Sequence, residues 1–176
     1  MGMKLSHAFI DVVDLNKVAP FYTDVLGFMI TDRGHINGEI EAIFMSQDPD
    51  NHHQIALAQT LPENSSEQNL GHVAFRVESL DDLRALKNRL MSEGIEIGRE
   101  LSHGNAWSLY FADPEGNGVE CFVDTPFHVS QPQGKPTDIN LDDEALLEKT
   151  RDDFSQEPDF GSYADWQEAM RRRLDG

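Results

Sequence analysis

A chain of 176 residues, 39% of them hydrophobic, can form one globular domain with an appendage. Its formal net charge of −18 at pH 7 argues against nucleic-acid partners and anionic membrane surfaces, because like charges repel. A single cysteine, Cys121, excludes an internal disulfide framework, and there is neither an apolar run of membrane-spanning length nor a signal-peptide pattern. We therefore expect a cytoplasmic protein with neither a nucleic-acid nor a membrane partner.

The first part of the chain predicts a strand, a helix and three further strands. Leu5 to Val13 is rich in β-forming residues, and Asp14 is a typical N-cap for a helix from Leu15 to Leu26 that ends at Gly27. Three more segments, separated by turn residues, are predicted strands: Phe28 to Ile36, Glu39 to Gln47 and His52 to Gln59. A polar linker, Pro62 to Asn69, follows.

The same order of elements then begins again. Leu70 to Glu78 predicts a strand, and Ser79 with an acid three residues later resembles a capping box. Apolar residues at helical spacing predict a helix that ends at Gly94; they are Leu80, Leu83, Leu86 and Leu90. Three more strands reach Asp124, and the last two, Asn105 to Ala112 and Gly118 to Asp124, flank an Asp-Pro-Glu-Gly turn.

The two halves form an internal repeat. His7 and His72 occupy the same place, since Leu15 and Leu80 each follow eight positions later, and the offset is therefore 65 (72 − 7). We expect an α+β fold of two tandem βαβββ units, 1–62 and 69–125, which form a curved mixed sheet around a concave metal site.

From Pro126 the composition shifts, and 126–176 is predicted to be a linker with a helical C-terminal extension. Residues 131–136 are the linker, and Leu141 to Phe154 and Ser162 to Leu174 are the helices. The second helix has an aromatic and methionine stripe, which packs on the sheets or a partner subunit or else covers the mouth of the site; packing is more typical of such a stripe. His35 and His128 are expected at the surface.

Two histidines and a glutamate are candidate metal ligands. His7 and His72 open the first strand of each unit, and Glu120 lies between apolar residues of the last strand. A carboxylate is costly to bury unless something pairs with it. Two imidazoles and one carboxylate are the ligand set of non-haem Fe(II) oxygenases, in which one face of the ion stays open.

Other polar residues are candidates for acid-base chemistry. Strand alternation over 52–58 places His53 on the face of Ile55, whereas His52 points outward to solvent. An inward His53 could move protons near neutral pH without binding the metal. His103 and Tyr110 are polar groups in apolar strands, and ordinary buried hydrogen bonding would explain them equally well.

These residues resemble the vicinal oxygen chelate superfamily over about residues 4–125. Within it, the spacing His103-x6-Tyr110-x2-Asp-Pro-Glu-Gly-x3-Glu120 is similar to the signature of type I extradiol ring-cleaving dioxygenases, here in a single-domain form. The resemblance implies that His7, His72 and Glu120 bind Fe(II), with Mn(II) as the alternative ion. It also implies that His53 is the acid-base residue and that His103 and Tyr110 bond the substrate.

The implied reaction is ring cleavage of a catechol-type aromatic diol by O2. A glyoxalase-like lyase or isomerase of the same fold is the alternative, but the repeat maps Glu120 onto apolar Ile55, where such enzymes commonly have a fourth ligand. A metal-free protein that sequesters a drug is a third alternative. A homo-oligomer is expected, and the ring substituents of the diol stay open.

Overall fold

The computed structural model describes residues 6–62 and 71–175. Most of the predicted linker Pro62 to Asn69 lies outside the described residues, as do the predicted strand starts at Leu5 and Leu70. The chain divides into two compact units: unit 1 is Met1–Val73 with Ala112–Gly118, and unit 2 is Ala74–Phe111 with Val119–Gly176.

The first sheet has four strands in the order β1-β4-β3-β2. Its elements are β1 (Ala8–Val12), α1 (Leu15–Pro20) continued by a π-helical turn (Phe21–Val25), β2 (Met29–Ile36), β3 (Ile40–Ser46) and β4 (Ile55–Gln59). Strands β1 and β4 are parallel, with Ala8 opposite Ile55, and the other pairs are antiparallel. The side chain of Asp14 accepts a hydrogen bond from the backbone N–H of Asn16, so the predicted N-cap is confirmed.

The second sheet has five strands in the order β10-β6-β7-β8-β5. Its elements with the intervening helix are β5 (Val73–Arg76), α2 (Leu80–Ser92), β6 (Arg99–Ser102), β7 (Ala106–Ala112), β8 (Gly118–Asp124) and, after a short β9 (Phe127–His128), β10 (Lys135–Pro136). Ser79 caps α2 by accepting a hydrogen bond from the backbone N–H of Asp82, as predicted. Leu83 and Leu90 form the fully buried face of α2.

The two sheets repeat one topology. The order β1-β4-β3-β2 corresponds to β5-β8-β7-β6, so in each half the first strand lies beside the last one. Each half has a single helix region between its first and second strands. The predicted α+β class and the two βαβββ units are confirmed.

The C-terminal extension packs on its own unit. Helix α3 (Asp143–Phe154) buries Leu146 and Phe154 completely, and Trp107 of β7 donates a 2.8 Å hydrogen bond to Thr150. The remaining elements are β11 (Gly161–Ser162), paired with β9, and α4 (Tyr163–Asp175). No helix among the described residues is long and apolar enough to span a membrane.

Two expectations for the extension are wrong. The predicted linker 131–136 contains β10, whose Lys135 and Pro136 pair with Ser102 and Leu101 of β6. His128 is not at the surface: it is half-buried, and its ring stacks on that of Trp166 at 5.2 Å. The stripe of α4 therefore packs on β9 through Trp166, because strand pairing with β11 holds β9 beneath the helix.

Candidate functional site

His7 and His53 lie side by side in unit 1. Their ring centroids are 4.5 Å apart. The contact follows from the parallel pairing of β1 and β4, because Ala8 lies opposite Ile55 and the residues just before both strands must meet at one end of the sheet. The backbone N–H of Ala8 donates to the carbonyl of Gln54 at that end.

The strand-alternation reason for the position of His53 is wrong. Strand β4 begins at Ile55, so His52 and His53 precede it and have no strand face. All of 55–58 is buried, which also removes the expected alternation of inward and outward residues. His53 is half-buried through ring contacts with His7 and with Phe44, whose centroid is 5.1 Å away.

His52 is exposed, as expected, but it also contacts His53. The two Nδ1 atoms are 3.0 Å apart, and Nε2 of His52 lies 3.9 Å from a carboxylate oxygen of Asp32. Partial burial and the neighbouring charges of His7 and His52 lower the pKa of His53. The neutral imidazole, which can accept a proton, is therefore favoured at this position.

His72 takes the place in the second repeat that His7 takes in the first. Each lies directly before the first strand of its half, at Val73 and Ala8, and each is exposed. The backbone at His72 packs tightly on Gly118: a Cβ atom at Gly118 would come within 2.4 Å of the Gly71 carbonyl oxygen and 3.1 Å of the Cβ of His72. Only glycine at position 118 allows this approach.

The Asp-Pro-Glu-Gly turn is held by hydrogen bonds to the side chain of Asp113. The buried carboxylate of Asp113 accepts hydrogen bonds from the backbone N–H groups of Glu115 and Asn117, both at 2.9 Å, and from the side chain of Asn117 at 2.8 Å. Gly116 adopts φ +86°, a conformation that other residues rarely take. This part of the dioxygenase-like signature therefore builds the turn.

Glu115 ties the turn to the start of α1. Its two carboxylate oxygens accept hydrogen bonds from the backbone N–H groups of Val13 and Asp14, each at 2.7 Å. At the end of a strand and the start of a helix, such N–H groups have no acceptor within the strand or the helix itself. Glu115 is thus a residue whose role the sequence did not indicate, although it belongs to the recognised motif.

His103, Tyr110 and Glu120 form a cluster in unit 2. Nε2 of His103 lies 2.8 Å from the hydroxyl oxygen of Tyr110 and 4.0 Å from Oε1 of Glu120. Glu120 is 9% exposed, which agrees with its predicted burial in the last strand. His103 lies in the turn between β6 and β7, not in a strand as expected, whereas Tyr110 lies in β7.

The electrostatics of this cluster keep Tyr110 protonated. Burial is the largest cause, and a hydrogen bond to Glu120 together with its charge adds to it; together they raise the pKa of Tyr110 to about 12. The guanidinium of Arg99 lies 4.8 Å above the ring, and its charge lowers the pKa of Tyr110.

Burial and Glu120 also raise the pKa of the Cys121 thiol to about 12, so this cysteine is an inert buried residue.

The candidate metal ligands fit a divalent ion by their chemistry. His7 and His72 are exposed imidazoles at equivalent positions of the repeat, and Glu120 is a buried carboxylate. Within either unit, the described parts of the chain bring no three His, Cys, Asp or Glu side chains close enough to hold an ion. The set His7, His72 and Glu120 draws on both units and stays a prediction.

The position of a fourth ligand is apolar. Ile55, the repeat counterpart of Glu120, is 1% exposed. Its neighbour Gln54 uses its side-chain oxygen to accept a 2.9 Å hydrogen bond from the backbone N–H of Gln47. Ile55 therefore offers no ligand atom, and the side-chain oxygen of Gln54 is already hydrogen-bonded.

A family model described as "Glyoxalase/Bleomycin resistance protein/Dioxygenase superfamily" matches residues 4–121. A biphenyl-2,3-diol 1,2-dioxygenase of Rhodococcus globerulus is 32% identical over 69% of this chain and 63% of its own length. A catechol-2,3-dioxygenase of Bacillus subtilis is 28% identical over 85% of this chain and 53% of its own. The chain thus spans less than two thirds of the length of these relatives.

Other relatives have different activities. A probable lactoylglutathione lyase of Synechocystis is 26% identical over 67% of this chain and 93% of its own length.

Among solved structures, a glyoxylase/bleomycin resistance protein/dioxygenase domain from Frankia has a TM-score of 0.61 at 22% identity, and the match covers 71% of this chain and 100% of that domain. The Listeria monocytogenes fosfomycin resistance protein FosX, complexed with Mn(II) and sulfate, has a TM-score of 0.55 at 20% identity and covers 71% and 95%. At these identities the structural similarity establishes the fold.

Proposed function

The chain belongs to the glyoxalase/bleomycin resistance protein/dioxygenase superfamily, and from this membership we propose that it is an extradiol dioxygenase that cleaves a catechol-type diol with O2. The observation that carries the proposal is the cluster of His103, Tyr110 and Glu120, whose polar atoms lie within 4.0 Å of His103 Nε2. A hydroxyl and an imidazole beside a buried carboxylate can bind and stabilise oxygen atoms that gain negative charge.

His7, His72 and Glu120 would hold the metal, Fe(II) or alternatively Mn(II). Two imidazoles and a carboxylate are the donor set that leaves one face of such an ion open. The ion would supply chelation of both diol oxygens and a path for electrons between the diol and O2. A diol held in one orientation in this way would react in steps that are effectively intramolecular.

His53 would act as the general acid-base residue. Its lowered pKa favours the neutral ring that takes a proton from a diol hydroxyl. The same imidazole would return this proton when the O–O bond breaks. Both oxygen atoms of O2 then belong to the ring-opened product, a semialdehyde-type acid.

Tyr110 and His103 would bind the oxygen atoms of the substrate as the reaction proceeds. Because the pKa of Tyr110 is raised to about 12, its hydroxyl stays a hydrogen-bond donor at neutral pH. His103 Nε2 lies 2.8 Å from this hydroxyl and would share a bound oxygen with it. Tyr110 would stabilise negative charge on a bound oxygen by donating its hydroxyl proton in a hydrogen bond. His103 Nε2 would accept a hydrogen bond from a protonated oxygen of the substrate.

A lyase of the glyoxalase kind is less well supported by this chain. Ile55 is buried where a fourth ligand would be required, and Gln54 is held by the backbone of Gln47. A protein that only sequesters a drug would have no use for the His103–Tyr110 pair or for a buried Glu120.

The test is a substrate panel with the full chain loaded anaerobically with Fe(II) or Mn(II). Catechol, biphenyl-2,3-diol and other substituted catechols are mixed with O2, and oxygen uptake is followed with the absorbance of the yellow ring-cleavage product. Stoichiometric O2 uptake with the yellow product supports the proposal. Lactoylglutathione lyase activity without O2 uptake, or diol binding without turnover, would overturn it.

A further inference from the structure

A segment of the C-terminal extension, residues 131–136, passes directly over His103; we name it the C-terminal strap. Nδ1 of His103 lies 2.5 Å from the backbone carbonyl oxygen of Gln133. A Cβ atom on Gly134 would lie 3.9 Å from both Nδ1 and Cε1 of His103. The backbone of the strap is therefore in contact with the edge of the imidazole that carries Nδ1.

The strap is anchored on both sides of this contact. On one side, Nε2 of Gln131 donates a 2.8 Å hydrogen bond to the backbone carbonyl of His103, and its Oε1 accepts a 2.9 Å bond from the N–H of Gln133. On the other side, β10 pairs with β6, and Nζ of Lys135 donates to the backbone carbonyl of Asp153. The position of the Gln133 carbonyl is thus set by its own anchors.

A carbonyl oxygen accepts hydrogen bonds and donates none, so Nδ1 of His103 must carry the proton in this contact. In a neutral imidazole the other nitrogen, Nε2, is then the acceptor. Nε2 faces the hydroxyl of Tyr110 at 2.8 Å and Oε1 of Glu120 at 4.0 Å. With the proton on Nδ1, His103 faces Tyr110 and Glu120 through Nε2 alone, and this nitrogen is a hydrogen-bond acceptor.

We propose that the C-terminal strap is a positioning element that fixes the tautomer and the ring orientation of His103. The carbonyl of Gln133 holds the proton on Nδ1, and Gln131 holds that carbonyl in place. Both are positioning residues, because they act through His103. The consequence for catalysis rests on the proposed dioxygenase function, whereas the tautomer itself does not.

The direct test is the tautomer of His103 by ¹⁵N nuclear magnetic resonance of the full chain, metal-free and loaded with diamagnetic Zn(II). The His103 signals are assigned by their loss in His103→Gln. We expect Nδ1–H as the predominant neutral form in both samples. A wild-type His103 that carries its proton on Nε2 would overturn the proposal.

Two variants release the strap. Gln131→Ala removes the anchor on one side, and the double variant Gln131→Ala with Lys135→Met removes one on each side. Since a hydrogen bond of this kind contributes about a fivefold bias to an equilibrium, the ratio of the Nδ1–H to the Nε2–H form should fall about fivefold or more in the double variant. An unchanged ratio there would contradict the proposal. Gln133→Ala keeps the carbonyl and should keep the wild-type ratio.

The kinetic test uses the same variants with a diol that the wild type cleaves. A smaller population of the competent tautomer should lower kcat about fivefold or more while KM for the diol is unchanged. Gln156→Ala, an exposed residue in the turn after α3, is the matched control and should behave like the wild type. If the wild type cleaves no diol, the proposed function fails, and the tautomer measurement still decides the role of the strap.

Discussion

The hydroxyl oxygen of Tyr110 lies 2.8 Å from Nε2 of His103, seven residues earlier in the chain. Burial of this phenol and the Glu120 carboxylate beside it raise its pKa, which holds it in its protonated form. The pair therefore combines a hydroxyl that stays a donor with an imidazole whose second nitrogen is engaged by the backbone of Gln133. Its properties can be tested with and without metal.

The ionisation of Tyr110 predicts a loss of stability at high pH in the metal-free protein. Its pKa is raised from 10.0 to about 12, so folding favours the neutral phenol. This contribution is fully present below pH 10, and it is lost as the pH rises through about 12. We expect urea unfolding of the wild type to lose more stability between pH 10 and 12 than that of Tyr110→Phe. Identical losses would contradict the assignment.

Glu120 is predicted to be essential for metal retention. Glu120→Ala or Glu120→Gln should weaken Fe(II) binding by more than about 100-fold, because replacing even an outer partner of a ligand costs about 10- to 100-fold. The measurement is iron content after anaerobic gel filtration, with circular dichroism to show that the fold is kept. Glu41→Ala, an exposed acid of β3, is the control. Full iron content in both Glu120 variants would remove it from the ligand set.

His53 is predicted to affect turnover and not iron content. His53→Phe should bind iron and catechol normally but turn over roughly 10²- to 10⁴-fold more slowly, the usual contribution of general acid-base help. Iron content, catechol affinity and O2 consumption are measured on one sample. The control is His35→Phe, an exposed histidine of β2. Normal O2 consumption with ring cleavage by His53→Phe would exclude its role.

Gly118 is predicted to set the position of His72. In Gly118→Ala the new Cβ would come within 2.4 Å of the Gly71 carbonyl oxygen and displace the backbone that carries His72. We expect Fe(II) affinity to fall about 10- to 100-fold. Gly34→Ala in β2 is the matched control, since a Cβ there meets nothing within 4 Å. Wild-type affinity in Gly118→Ala would show that His72 does not depend on this contact.

Asp113 is predicted to contribute to stability and not to chemistry. Asp113→Ala leaves the part-buried N–H of Glu115 and the buried N–H of Asn117 without their acceptor, which should lower the free energy of unfolding by about 3 kcal/mol. Urea denaturation measures this loss, and the exposed Glu96→Ala should change stability by less than about 0.5 kcal/mol. If Asp113→Ala were as stable as the wild type, the hydrogen bonds of Asp113 would not be what stabilises the turn.

The sequence by itself determined the fold class, the internal repeat, and the positions and N-caps of the helices. These follow from local patterns: the spacing of Leu83 and Leu90, the caps Asp14 and Ser79, and the offset that relates His7 to His72. The resemblance of the long signature also predicts roles for His103 and Tyr110, which stay predictions. It did not indicate that the Asp113 carboxylate builds the turn between them and Glu120.

Only the tertiary structure decided which groups meet. His53 contacts His7 because β1 and β4 pair in parallel, and not because of strand alternation. Gln133, thirty residues after His103 in the chain, contacts the His103 imidazole because β10 pairs with β6. Every residue has a backbone carbonyl, so the residue type at position 133 does not reveal its contact. Local periodicity also does not predict which distant strands pair. For this reason the sequence predicted which residue types take part but not the contacts that orient them.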